Sequence, residues 1–157
     1  MKALLLNVLL AVLWRVAVGQ TGTHHLVVGF IVGYLVLWWL RPLIGPTAYF
    51  RKLPLAISFA LFFIWELVKS NLRVAWDVVT PSAYRHPAIV AVPLDTASDE
   101  QITLLAVLIT LTPGSLSVDV SDDKRVLYVH GMFVEDPEEF RRSLKKGFER
   151  RVMELLA

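Results

Sequence analysis

The sequence predicts a membrane protein. It has an α-helical N-terminal region and a small α+β C-terminal domain of order β-α-β-β-α, arranged as a ferredoxin-like two-layer sandwich. Three observations carry that expectation. The chain is 55% hydrophobic over 157 residues, with a mean hydropathy of +0.56, too apolar for an ordinary soluble domain. Charge is unevenly divided: seven basic against two acidic side chains leave residues 1–80 at +5, and nine against twelve leave residues 81–157 at −3. The hydrophobic pattern also changes, from long unbroken apolar runs to short alternating ones bounded by turn formers.

The first apolar run is Ala3–Val18 and the second Leu26–Leu40. As helices they reach roughly 24 Å and 22 Å, so they cross a ~30 Å hydrocarbon layer only with flanking residues or local thinning, or else dip into one leaflet as a hairpin. The joining Gly19–His25 stretch is rich in turn formers, which makes the two helices antiparallel neighbours. Lys2, the run after it and the small residues Val16–Gly19 loosely resemble a signal peptide, but Trp14 and Arg15 just before the supposed cleavage point argue against that.

Asn7 and Arg15 are the polar exceptions in the first run. Ionisable or polar groups at membrane depth point to a wet or protein-lined interior. Arg15, next to Trp14 near the segment end, also fits snorkelling to the interface. His24 and His25 lack a third ligand nearby and read as interfacial, and Trp38-Trp39-Leu40-Arg41 reads as an aromatic belt with a basic anchor.

The loop 41–52 contains Pro42, Gly45 and Pro46, which break a continuous helix, and its three bases favour the cytoplasmic side. Leu53–Pro81 comes next. Its first part, LPLAISFALFFIW, is apolar, and Glu66, Lys69, Ser70, Arg73 and Asp77 then share one helical face. Glu66 is placed to pair with Lys69 or Ser70, and Arg73 with Asp77. The segment predicts a helix rising through the headgroups from Lys69 as a stalk. A topological conflict comes with it: a crossing here separates the basic loop from the C-terminal domain, whereas a dip keeps both on one side. Glu66 as a proton relay is the sharper alternative to a static pair.

Ala88–Leu94 suits a buried strand ending at Pro93. Ser98-Asp99-Glu100-Gln101 is a capping pattern opening a helix over Ile102–Leu111, stopped by Thr112-Pro113-Gly114-Ser115. Leu116, Val118 and Val120 alternate with Ser117 and Asp119. With the turn Ser121–Lys124 and a partner strand over Arg125–Val134 they predict an antiparallel hairpin. Asp136 and Pro137 start the last helix. Its apolar stripe is Phe140, Leu144, Phe148, Val152 and Leu155, with Arg141, Arg142, Lys145, Lys146, Arg150 and Arg151 turned outward. The expected organisation is a hairpin and basic loop over 1–52, a membrane or stalk helix over 53–81, and a soluble β-α-β-β-α cap over 82–157.

Absence of cysteine excludes disulfides and thiol chemistry. No phosphate-binding glycine loop, metalloprotease or nucleophile-elbow motif occurs. The bases form no patch interleaved with aromatics, which argues against nucleic acid. Asp122-Asp123 fits a solvated turn better than a cation site, and His130 a surface contact better than catalysis. The residues point to a membrane-anchored module without catalytic residues, cofactor or metal.

The stretch Ile109–Val120 (ITLTPGSLSVDV), followed by Leu127–Met132 (LYVHGM), resembles the E subunit of the Mrp/Mnh-type multisubunit sodium/proton antiporters. The order of apolar segments, charged helix and this motif extends the resemblance over nearly the whole chain. It implies an accessory subunit of the cell membrane in a complex exporting Na+ in exchange for H+, with other antiporter subunits and lipid as partners. It further implies that ion translocation rests on larger subunits and that the C-terminal domain is cytoplasmic. No catalytic residues are carried over, and Thr112, Pro113, Gly114 and Ser115 keep a structural reading, ending a helix and starting a strand. Three alternatives stand beside it: membership of a related complex such as a membrane-bound hydrogenase, an ion path through Glu66 and Asn7, and a docking module using the basic face of the last helix.

Overall fold

The structure is a computed structural model that describes residues 2–19, 22–44, 48–80, 86–95 and 98–157. Gly45, Pro46, Pro81 and Arg85 lie outside the described residues. The chain divides into two compact units, Met1–Pro54 and Leu55–Ala157.

In the first unit, α1 (Lys2–Val18) and α2 (Thr23–Trp39) pack against each other, and a short α3 (Arg41–Ile44) comes after them. Their buried faces run at helical spacing, Ala3, Asn7 and Ala11 on α1 and Gly29, Gly33 and Leu37 on α2, with the small alanines and glycines letting the helices approach closely. Gly29 lies against Ala11 and Trp14, and Gly33 against Asn7 and Leu10, so the pairing runs antiparallel. A side chain at Gly33 would collide with the Asn7 amide oxygen, so the close approach of the helices depends on glycine there. The remaining faces, including Leu5, Leu9, Val16 and Val27, are exposed apolar surface.

Helix α4 runs Tyr49–Val79 and crosses from the first unit into the second. It begins four residues before the expected Leu53 and carries Pro54 inside its second turn, where the ring removes one backbone hydrogen bond. Among the described residues it alone is long and apolar enough to cross a membrane, by length and composition.

The second unit holds a three-stranded antiparallel sheet of order β1-β3-β2, from β1 (Ala88–Pro93), β2 (Ser115–Val120) and β3 (Val126–Gly131). Both outer strands run antiparallel to β3, so β1 and β2 are parallel to each other and linked across it by α5 (Asp99–Leu111). The inner sheet face, Val90, Val92, Leu127 and Val129, packs on Leu105, Leu108 and Ile109 of α5 and on Leu144, Phe148 and Val152 of the C-terminal helical run. Phe59, Phe62 and Phe63 of α4 join the edge of this core. The caps form as their residues dictate: the Ser98 hydroxyl accepts from Gln101 N–H at 3.3 Å, and the Asp136 carboxylate from Glu138 N–H at 2.8 Å, ahead of Pro137.

Two expectations are corrected. Leu116 and Val118 do not share a face with Val120, because a bulge between Ser117 and Asp119 shifts the register. Leu116 and Val118 therefore point out, while Val120 packs at the core and Ser117 turns in to donate to Ala106 O at 3.0 Å.

The last helix, likewise, is not uniform. It comprises α6 (Pro137–Leu144), a π-helical stretch Lys145–Glu149 and α7 (Arg150–Leu156). The π stretch inserts an extra residue and rotates α7, with Arg151, relative to α6; the basic residues do not all face solvent. Arg141 Nε donates to Ala91 O at 2.8 Å, Lys145 Nζ donates to Pro93 O at 3.0 Å, and the Arg151 guanidinium lies 4.0 Å over the Phe62 ring. The basic docking face is reduced by these ties. Arg142 and Lys146 remain exposed.

Candidate functional site

Within the second unit, the inner face of α4 and the cap enclose a groove of about 620 Å³. One wall is the polar stripe of α4: Glu66, Lys69, Ser70, Arg73 and Asp77 all line it. The facing wall is the turn Thr112–Ser115, with Phe133 and the start of α6. The fold thus brings together two features separated by more than thirty residues in sequence.

Each wall follows from local chemistry. On α4, helical periodicity puts the five polar residues in a row. Glu66 is half-buried and pairs with Lys69 at 3.4 Å. Asp77 is buried, and the Arg73 guanidinium sits 5.9 Å from the centre of the Phe133 ring. The opposite turn is held by its own hydroxyls. Thr112 Oγ1 donates to Leu108 O at 2.8 Å, and Ser115 Oγ is within 2.8 Å of Ile109 O and 3.0 Å of Thr112 O. These bonds satisfy carbonyls that the end of α5 would leave orphaned. Gly114 takes φ +87, and its carbonyl accepts from Met132 N–H at 2.8 Å. A side chain at Gly114 would be strained and would meet the Phe133 ring at 3.2 Å.

The rim of the groove is acidic, with Glu135, Asp136 and Glu139 on the cap side. Asp136 is engaged as the α6 cap. Paired charges, aromatic rings and self-satisfied hydroxyls suit the groove to holding α4 and cap in register. No group of three or more His, Asp or Glu able to hold a metal occurs among the described residues.

Asn7 and Arg15 belong to the other unit. Asn7 is fully buried; its Nδ2 donates to the Tyr49 hydroxyl at 2.6 Å. Its Oδ1 has no hydrogen-bond partner among the described residues. The amide ties α1 to the start of α4. Arg15 is half-buried.

Sequence reasoning missed Glu149, which is 2% exposed beneath the cap. Its carboxylate accepts from Asp95 N–H at 2.6 Å and lies 3.7 Å from Lys145 Nζ, which also contacts Asp95 at 2.8 Å. Its i,i+4 spacing from Lys145 was the one available signal. At the surface, Asp123 is held below the usual carboxylate range, first by the Ser121 hydroxyl and then by Arg125 N–H. Glu100 is lowered by its own backbone N–H and then by the Ser98 hydroxyl.

The assembly of helical hairpin, long amphipathic helix and split β-α-β cap is shared with known proteins. Residues 7–155 match the family described as Na+/H+ ion antiporter subunit, and the chain belongs to that family. Its relatives there are E subunits. It is 36% identical over 152 residues to the E subunit of the Na+/H+ antiporter of Bacillus subtilis, covering 97% of this chain and 96% of that one. The corresponding E subunit of Alkalihalophilus pseudofirmus is 35% identical over the same extents, and the E1 subunit of Staphylococcus aureus is 33% identical. A chain in the Mrp complex from Dietzia sp. is similar in structure, with a TM-score of 0.52 and 31% identity, over 66% of this chain and 98% of that one. A chain in an archaeal membrane-bound sulfane sulfur reductase shares the fold, with a TM-score of 0.54 and 21% identity over 96% of each.

Proposed function

We propose that the chain is an accessory, assembly-stabilising subunit of a multisubunit monovalent cation/proton antiporter that exports Na+ in exchange for H+. Family membership over residues 7–155 supports the complex. The observation that carries the accessory role is the groove, in which the polar stripe and the Thr112–Ser115 turn face each other with Glu66 half-buried against Lys69. A carboxylate with an ammonium beside it at helical i,i+3 spacing suits a static pair better than a proton relay.

In this reading α1 and α2 form a membrane hairpin in the cell membrane, their exposed apolar faces meeting lipid or neighbouring subunits. The cap lies on the cytoplasmic side, and large antiporter-like subunits carry the ions. The β1-β3-β2 order supports a ferredoxin-like sandwich for the cap. No catalytic chemistry of its own is assigned.

The test is Glu66→Gln in the assembled complex, with sodium/proton exchange followed in everted vesicles. Exchange within about twofold of wild type is expected, together with normal recovery of the other subunits. An assembled variant without exchange would instead put Glu66 on the ion path.

A further inference from the structure

We propose that α4 does not cross the bilayer but lies along its surface, with its outer face docked on the phospholipid headgroup boundary and the cap covering its other face. The proposal rests on the membrane reading above and deepens it.

From Leu55 onward α4 has two faces of opposite character. Ile57, Leu61, Ile64, Val68, Leu72 and Val79 fall within one arc of the helix, all exposed, with Leu61 at 63% and Val79 at 75%. Trp65 and Trp76 sit on one flank of that arc, and Lys69 lies just beyond them. Tryptophan and lysine at the edge of an apolar face are the pattern of a helix in the interfacial plane.

The opposite face looks onto the cap: from Leu55 to Thr80 its residues line two hollows shared with α7, the start of α6 and the Thr112–Ser115 turn. Near the start of α4, Leu55, Ser58 and Phe59 face Arg150, Arg151 and Glu154 of α7. Further on, Arg151 covers Phe62, and the polar stripe closes the groove. An upright helix would carry the charges of α7 into the hydrocarbon beside its most apolar part. A flat helix leaves all of them in water and buries only the apolar arc.

Arg51 near the start of α4 shares the flank of Lys69, next to the tryptophans, and the two complement anionic headgroups. A flat α4 would also remove the topological conflict in the sequence, since it leaves the basic loop and the cap on one side of the bilayer.

The chain contains no cysteine, so single cysteines report directly. Cysteines at Leu61, Val68, Leu72 and Val79 of the full chain would carry an environment-sensitive fluorophore. The chain would be reconstituted in phosphatidylglycerol–phosphatidylethanolamine vesicles with lipids quenching at known depths. A fifth label at Leu35 in α2 reports membrane insertion itself. The four α4 labels should show one common shallow depth, whereas an upright helix would spread Leu61 and Val79 by about 27 Å along the normal.

In native membranes, Lys52→Cys in α4 and Arg142→Cys in the cap should react with an impermeant maleimide from the same side. A graded depth, or reaction from opposite sides, overturns the proposal. So do α4 labels shielded from both lipid and aqueous quenchers, which would mean a protein partner on that face. A Leu35 label reading water would mean that the membrane reading has failed, whatever α4 does.

Discussion

Replacing Glu149 with alanine should destabilise the cap more than any surface change to the same helix. The carboxylate is 2% exposed and accepts from Asp95 N–H at 2.6 Å, a charge-assisted bond of about 1.5–3 kcal/mol. Its ion pair with Lys145 at 3.7 Å is long and half-screened, and Lys145 keeps Asp95 and the Pro93 carbonyl when Glu149 is removed. Truncation also leaves a small void. Against these losses stands relief from burying a charge. A net loss of about 2–3 kcal/mol follows, or roughly 10–20 °C in melting temperature for a unit of this size.

Glu149→Gln keeps an acceptor for Asp95 N–H and should lose about half as much. The assay is thermal unfolding of the detergent-solubilised full chain, followed by far-ultraviolet circular dichroism through the wild-type transition. An alanine variant within about 0.5 kcal/mol of wild type would refute the reasoning. It would mean that water already supplies the Asp95 bond and that the carboxylate is buried at no advantage.

Two further outcomes are expected. Gly114→Ala forces a β-carbon into the left-handed region beside the Phe133 ring; it should lower stability by about 1 kcal/mol or more, and an unchanged melting temperature would show that the turn relaxes freely. Asp123 has its carboxyl held below its unfolded value, so its contribution is full above that value and fades as pH falls through the folded one. Stability should therefore drop below about pH 4, and Asp123→Asn should flatten that decline; equal acid slopes in both proteins would reject the assignment.

The cap was largely legible in the residues. Ser98, Asp136 and Pro137 announce helix starts through chemistry that acts within three residues, and the Ser121–Lys124 turn announces the hairpin. The face of β2 was not legible, because a bulge changes which residues meet β3, and pairing geometry lies outside the strand itself. The environment of Arg151 was equally hidden. A π-helical stretch rotates α7, and nothing in a 3.6-residue period anticipates it.

The candidate site divides the same way. The stripe from Glu66 to Asp77 and the turn Thr112–Ser115 were each visible as local patterns. That they face one another was not, since it follows from the packing of Phe59, Phe62 and Phe63 on a core built from distant parts of the chain.

By itself, then, the sequence determined the element order, the caps, the uneven charge and the family likeness, all of which depend on residue identity at short range. Only the tertiary structure decided which face of α4 is covered. A helix with one apolar and one polar face can stand upright in a bilayer or lie along it, and its own residues do not choose. Under the proposal above the cap decides between them, because charged residues of α7 sit against the same turns of α4 that hydropathy assigns to the membrane.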